Sequence, residues 1–259
     1  PDLDAFPDYG VSRSRQDFDD TLARHAKAAG ARILEQRSVT GPVVDERTGR
    51  VVGVVARPVD EAGRKAGEEE TYRAPVVIAA DGVSSRFALA LGLEKDQRRP
   101  MGGAARTYFA TPNSHDDWME SHLELWDGEP GRSNLLPGYG WIFGLGDGTA
   151  NVGLGTVSST ASTAKVDYKE LLRRWIANAP EVWGFDPDAP LGPVRSAALP
   201  MAFNRKPHYS RGVLLVGDSG GMVNPFNGEG IAYAMQAART AAEVVAQARS
   251  RRTDAAREA

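Results

Sequence analysis

Between positions 16 and 29 the apolar residues Phe18, Leu22, Ala26 and Ala29 recur on one helical face, and Gly30 follows as a stop. A helix is predicted there. Residues 31–34 and 39–44 are dense in aliphatic and β-branched side chains and read as strands. The turn-rich Glu46-Arg47-Thr48-Gly49-Arg50 leads into a further such run at 51–56, which predicts a hairpin. The stretch 60–70 is charged and contains glycine, as a solvated loop or hairpin tip does. Val76-Val77-Ile78-Ala79-Ala80 is a short continuous apolar run, the pattern of a strand covered on both faces. After the turn Asp81-Gly82-Val83-Ser84-Ser85 a short helix is expected around 86–91, ended by Gly92.

The pattern changes after Leu93. Residues 94–100 form a polar linker, and all five tryptophans lie between Met101 and Pro200. Such a concentration of aromatics suits an antiparallel sheet or a ligand-lining wall. Residues 141–145 and 151–156, joined by Gly146-Asp147-Gly148, read as a hairpin. Residues 167–178 read as an amphipathic helix with Leu171, Leu172, Trp175 and Ile176 inward. Gly212-Val213-Leu214-Leu215-Val216-Gly217 returns to the buried-strand pattern, and a glycine-rich loop separates it from a predicted helix over 230–249. The expected organisation is a discontinuous α/β domain, residues 1–98 plus 207–259, interrupted by a mostly antiparallel domain at 99–206.

Composition removes several classes of chemistry. The chain has 259 residues, enough for one large domain or two modest ones. Its 31 basic and 34 acidic residues give a net charge of −3, which argues against a nucleic-acid binder that works by phosphate neutralisation. The absence of cysteine eliminates disulfides, thiolate nucleophiles, redox pairs and cysteine-ligated metals. It also fits a reducing compartment. No apolar run approaches the roughly 18 residues of a spanning helix. The opening Pro1-Asp2-Leu3-Asp4 is neither a methionine start nor a signal peptide, as expected of a fragment. Of the scattered histidines His25, His115, His122 and His208, only His122-Leu123-Glu124 places two ligands on one strand face, too few for a metal. No metal site is expected.

The most informative string is Gly217-Asp218-Ser219-Gly220-Gly221-Met222-Val223-Asn224-Pro225-Phe226-Asn227-Gly228-Glu229-Gly230-Ile231. A buried strand ends in Gly-Asp, a loop of small residues follows, and a long helix begins. This puts a carboxylate at the carboxyl end of a strand, where open α/β folds bind ligands. It puts the amides of a helix start beside it, at 228–231. A carboxylate accepts hydrogen bonds from sugar-like hydroxyls, and helix-start amides stabilise negative charge. Reduced flavin needs both. Read alone, Gly-Asp is open to a second account, in which Asp218 caps a helix and the glycines only make a tight turn.

The whole string resembles the second FAD fingerprint of the flavoproteins that include aromatic hydroxylases and geranylgeranyl reductases. That resemblance implies an FAD-binding domain like that of glutathione reductase and the hydroxylases, truncated here, with an inserted antiparallel-sheet substrate domain. It implies that Asp218 binds the ribityl hydroxyls and that Pro225, Gly228, Glu229, Gly230 and Ile231 line the isoalloxazine ring. Asp81 and Gly82, in the strand-turn string at 76–85, resemble the family's Asp-Gly motif near the cofactor. Arg15, ahead of Phe18-Asp19, resembles the family's FAD-touching arginine, and Val39 falls where a backbone contact lies near the adenine.

His122-Leu123-Glu124-Leu125-Trp126, Leu136-Pro137-Gly138-Tyr139-Gly140-Trp141-Ile142-Phe143 and Asn151-Val152-Gly153-Leu154-Gly155 are similar to the geranylgeranyl reductases, in particular the actinobacterial branch with menaquinone isoprene-chain reductases. There the Tyr-x-Trp-x-Phe strand lines the cavity over the flavin. Tyr139, Trp141 and Phe143 alternate along the chain and face one side of a strand. An aromatic wall suits a prenyl chain, which offers only dispersion and apolar area. The implied activity is FAD-dependent reduction of isoprenoid C=C bonds, with Tyr139 and Trp141 as candidate catalytic residues and Tyr139, Trp141 and Phe143 as substrate-lining ones. A prenylated lipid substrate and an NAD(P)H or ferredoxin-like electron donor are implied as partners. So is a cytoplasmic location with peripheral contact at the inner face of the plasma membrane. The alternatives are a flavin monooxygenase or halogenase on the same scaffold, or an inactive fragment. A halogenase is expected to show Trp-x-Trp-x-Ile-Pro, which Tyr139-Gly140-Trp141-Ile142-Phe143 is not. The chain lacks the family's Gly-x-Gly-x-x-Gly turn, and its strand reads Ile-Phe-Gly where the family commonly has Ile-Phe-Pro.

Overall fold

The computed structural model describes residues 9–157 and 166–251. The ends of the expected outer segments, 1–8 and 252–259, lie outside them. In chain order the elements begin with helix α1 (Arg15–Ala28), strands β1 (Arg37–Val44), β2 (Val51–Pro58), β3 (Glu70–Arg73) and β4 (Val77–Ala79), and helix α2 (Arg86–Ala90). Next come β5 (Met101–Ala110), β6 (Met119–His122), β7 (Leu125–Trp126), β8 (Leu135–Leu136), β9 (Gly138–Gly144), β10 (Thr149–Val157) and α3 (Tyr168–Ile176). The chain closes with β11 (Arg195–Pro200), β12 (Tyr209–Ser210), β13 (Val213–Leu215), a 3-10 turn (Gly217–Gly220) and α4 (Ile231–Ser250). The fold is mixed α/β. Two compact units divide the chain: residues up to Ile33 with Gly103–Ala197, and Leu34–Gly102 with Ala198 onward.

The first unit is built on a five-stranded sheet in the order β11-β5-β10-β9-β6. Its core follows from the period of two along the strands. Ala150, Val152 and Leu154 of β10 alternate inward with Ile142 of β9 and with Ala105 and Phe109 of β5. Helix α3 closes this face with Leu171, Leu172, Trp175 and Ile176, the four positions its sequence pattern places inward. Asp167 caps it by accepting from the amides of Lys169 and Glu170. Gly140 is required by this packing, because a Cβ there would lie 2.3 Å from Cζ2 of Trp175. Helix α1 forms where its periodicity places it, capped by Ser14, but buries no residue. Ion pairs Arg13–Asp17, Arg15–Asp19 and Asp20–Arg24 run along it, each worth only a few tenths of a kcal/mol.

The second unit holds two small sheets. Strands β1, β2 and β3 form an antiparallel meander, with the expected hairpin between β1 and β2 and a bulge between Val39 and Gly41. Strands β12, β13 and β4 form the other, in which β13 runs parallel to β4 with Val213 opposite Val77 and Leu215 opposite Ala79. Phe87 and Ala88 of α2 pack with Ala79, Val213, Leu215 and Val51. Residues 31–34, read from sequence as a strand, join no ladder among the described residues. A strand needs a neighbour to bond, and β1 begins three residues later and pairs with β2. The reading of 76–80 as covered on both faces holds on one side only: Ala79 is buried, but Ile78 is 45% exposed on an edge strand.

Candidate functional site

The parallel pair β4 and β13 ends in two acidic turns, Asp81-Gly82 and Gly217-Asp218. Ser219 ties the two strand ends together. Its hydroxyl lies 2.5 Å from the Ala79 carbonyl and 2.8 Å from that of Val216, and it accepts from the Val216 amide at 3.1 Å. The chain then turns through Gly217 (φ +59°) and Gly221 (φ +69°), conformations that favour glycine. A Cβ on Gly217 would meet that of Ala234 in α4 at 2.9 Å, so the turn lies close against the helix.

Asp218 leans toward the first turn of α4. Its Oδ1 lies 3.5 Å from where a Cβ on Gly230, the N-cap of that helix, would stand. The first amides of a helix have no partner within it and carry partial positive charge. The structure thus brings Asp218 and Gly230 together, and Ile231 follows as the first residue of α4. Other members of the expected set are engaged within the loop. The Gly228 amide donates to the Asn224 carbonyl and the Glu229 amide to Asn227 Oδ1. Glu229 Oε1 accepts from the Ala232 amide at 2.8 Å and so caps α4. Pro225 stands at the exposed tip beside Phe226, which is 94% exposed.

Asp81 anchors α2: its Oδ1 accepts from Ser85 Oγ at 2.6 Å and its Oδ2 from the Phe87 amide at 3.3 Å. Gly82, at φ +77°, has open space where a side chain would be. Val39 stands exposed on β1, in the other sheet of this unit. Arg15 belongs to the first unit, where its guanidinium pairs with Asp19.

Sequence reasoning missed the hexapeptide 203–208. Arg205 is buried, and its Nη1 donates to the Ser219 carbonyl at 2.9 Å. Burial holds its guanidinium below the usual arginine range, opposed by the charge of Asp81. Burial likewise lowers His208, while its contact with the Gly220 carbonyl at 3.2 Å acts the other way. Lys95 is lowered by burial and by the neighbouring Arg205. The available signal was a run of basic residues between two apolar strands, which reads from sequence as an ordinary loop.

In the first unit, Tyr139, Trp141 and Phe143 do share one face of β9, opposite the buried Ile142. Ring centroids are 6.0 Å apart for Tyr139–Trp141 and 6.5 Å for Trp141–Phe143. The indole lies over β10, because its register partner is Gly153, and Trp141 Nε1 donates to Asn151 Oδ1 at 3.1 Å. Tyr108 of β5 extends the same face, its hydroxyl accepting from Arg106 at 3.1 Å. A separate cavity of about 660 Å³ lies beside β8 and α3, lined among others by Asp127, Pro137, Glu170 and Arg174. It holds none of the expected site residues, and its lining mixes apolar side chains such as Leu135, Leu136 and Leu171 with charged ones.

An acidic turn at a strand end, set against a glycine-started helix, fits the FAD fingerprint that residues 217–231 resemble. Residues 6–244 match the FAD dependent oxidoreductase family, and the chain belongs to it. It is 34% identical over 243 residues to the menaquinone reductase of Mycobacterium tuberculosis, covering 93% of this chain and 55% of that protein. It is 30% identical over 247 residues to the digeranylgeranylglycerophospholipid reductase of Methanocella arvoryzae, covering 92% and 55%. The chain therefore spans about half the length of these relatives. A geranylgeranyl bacteriochlorophyll reductase-like protein from Thermoplasma acidophilum superposes with a TM-score of 0.70 at 26% identity, over 89% of this chain and 53% of that one. The flavin-dependent brominase Bmp2, at 20% identity, TM-score 0.63 and coverage of 90% and 55%, shares the fold.

The residues present fit part of FAD. The acceptor Asp218, the amides at the start of α4 and the missing side chain at Gly230 suit a ribityl chain and the pyrimidine edge of a flavin. No Gly-x-Gly-x-x-Gly string for the pyrophosphate occurs in the sequence.

Proposed function

We propose that this chain carries the ribityl- and ring-facing part of an FAD site, together with a substrate-lining sheet, of a flavin-dependent reductase of isoprenoid C=C bonds. The observation that carries the reading is the Asp218 carboxylate at the end of β13, set against the N-terminus of α4. Asp218 holds ribityl hydroxyls, and the amides of Gly230 and Ile231 face the edge of the ring that gains charge. Arg15, Val39, Asp81, Gly82, Pro225, Gly228 and Glu229 complete the cofactor set implied by the family resemblance. Residues 1–98 and 207–259 serve FAD in this reading, and 99–206 serve the substrate.

FAD, once bound and reduced by the electron donor, would supply the hydride. The protein's own task is placement and exclusion of water, because an isolated alkene is a poor hydride acceptor. Tyr139, Trp141 and Phe143 offer a prenyl chain an unbroken aromatic strip, held by the Trp141–Asn151 hydrogen bond and the glycine bed of β10. The Tyr139 hydroxyl is the candidate proton donor. The substrate class follows the relatives, a menaquinone side chain or a geranylgeranyl lipid. NAD(P)H or a ferredoxin-like protein is the electron donor. No helix of the described residues is long and apolar enough to cross a membrane. A cytoplasmic protein that meets the inner face of the plasma membrane at its periphery satisfies both that fact and a bilayer substrate.

Titration of the chain with FAD, followed by flavin fluorescence, tests the reading. Hydrogen bonds to a charged acceptor are worth about 1.5–3 kcal/mol, so Asp218→Ala weakens FAD binding about ten- to a hundredfold. Equal affinity in the variant overturns it. Turnover under anaerobic conditions separates alkene reduction, which proceeds, from oxygen-dependent hydroxylation or halogenation, which stops.

A further inference from the structure

The turn that carries Asp218 is gripped from behind. Three consecutive carbonyls, those of Ser219, Gly220 and Gly221, are all contacted by one hexapeptide. Arg205 Nη1 donates to Ser219 at 2.9 Å, His208 Nε2 lies 3.2 Å from the Gly220 oxygen, and the Phe203 amide donates to Gly221 at 2.8 Å. This hold comes at an energetic cost. Ala202 and Phe203 both adopt φ near +55°, a region that disfavours residues with a Cβ. Arg205 is 1% exposed, and its Nε is buried with no partner. Its neighbour Asn204 is also buried, with Oδ1 unpaired and only 2.3 Å from where a Cβ on Gly221 would stand. A buried cation holding one hydrogen bond is a costly way to brace a loop. An apolar side chain would fill the space more cheaply.

We infer that Arg205, seconded by His208, is a positioning residue for the flavin site, fixing the peptide planes of the turn at 217–221 so that Asp218 is presented to the cofactor. The inference rests on the reading that Asp218 holds FAD. A peptide plane whose carbonyl points at Arg205 must direct the following N–H, that of Gly220, the opposite way. The guanidinium thus sets the orientation of the turn, and the glycines at 217, 220 and 221 give the turn no side chain of its own to resist with.

The experiment compares Arg205→Met, Arg205→Lys and His208→Leu in the chain as it stands, by two readouts. Amide hydrogen exchange across 217–222 is read without FAD, and FAD affinity is read by flavin fluorescence. The Met variant is expected to exchange at least tenfold faster in this turn, with α3 and β10 unchanged, and to bind FAD about tenfold more weakly. Lys, which can still donate to the Ser219 carbonyl, recovers part of both. His208→Leu shows a smaller loss of the same kind. Unchanged exchange at 217–222 in both Arg205 variants overturns the inference. So does wild-type FAD affinity in Arg205→Met when Asp218→Ala has lost it. Loss in none of the variants, Asp218→Ala included, instead overturns the flavin reading itself. If the Met variant does not fold, the Lys variant decides on the same two readouts.

Discussion

Gly153 offers a sharp test of how the aromatic strip is built. A Cβ added there would stand 2.3 Å from Cζ2 and 2.6 Å from Cε2 of Trp141, and 2.8 Å from the Ala105 carbonyl oxygen. The indole is rigid and the carbonyl belongs to the adjacent strand β5, so neither yields cheaply. β10 is flanked by β5 on one side and β9 on the other and cannot shift to make room. Overpacking of this kind costs about 1–3 kcal/mol. Lifting the indole also breaks its hydrogen bond to Asn151, about another 1 kcal/mol. Restricting the unfolded chain returns about 0.4–1 kcal/mol. Gly153→Ala should therefore destabilise the protein by about 1–3 kcal/mol, a fall in melting temperature of about 3–10 °C. Urea denaturation followed by tryptophan emission measures this, and the folded-state emission should change as Trp141 leaves its bed. Gly192→Ala is the matched control, since a Cβ at Gly192 meets nothing within 4 Å. A Gly153→Ala protein as stable as its parent, with the same emission, would refute the argument that the missing side chain exists to seat the indole.

Two further outcomes are expected. Glu170, held by Arg173 and then Arg174, has its carboxyl lowered to about 2 from an ordinary value of 4.5. Its pairing is fully present above pH 4.5 and is lost as the pH falls toward 2, so NMR of the Glu170 carboxyl should give a midpoint near 2. A midpoint near 4.5 would show that the pairs do not persist in solution. Tyr139→Phe should slow alkene reduction while leaving FAD affinity unaltered; unchanged turnover removes that hydroxyl from the mechanism.

Local pattern was enough for most elements. The four inward positions of α3, the hairpin of β9 and β10 and the strand–turn–helix around Asp218 follow from periodicity and turn chemistry alone. The alternation Tyr139, Trp141, Phe143 likewise had to face one way. The pattern failed where a partner was needed. Residues 31–34 have strand-like residues but no strand to bond, and α1 has an apolar face but buries no residue. The ligand loop was legible in outline, yet the engagement of Glu229 as a helix cap was not, since a carboxylate before a helix reads equally as cap or ligand.

What the amino-acid order determined by itself is a family, a mixed fold and a carboxylate at the end of a buried strand. Those rest on short-range signals: hydrophobic period, glycine at turns, and a fifteen-residue string. What tertiary structure alone decided is which distant residues support them. Arg205 lies fourteen positions before Ser219 and more than a hundred after Asp81, and no periodicity links the three. Their meeting depends on two short parallel strands lying side by side, and a buried charge can be recognised only once the surface around it is closed.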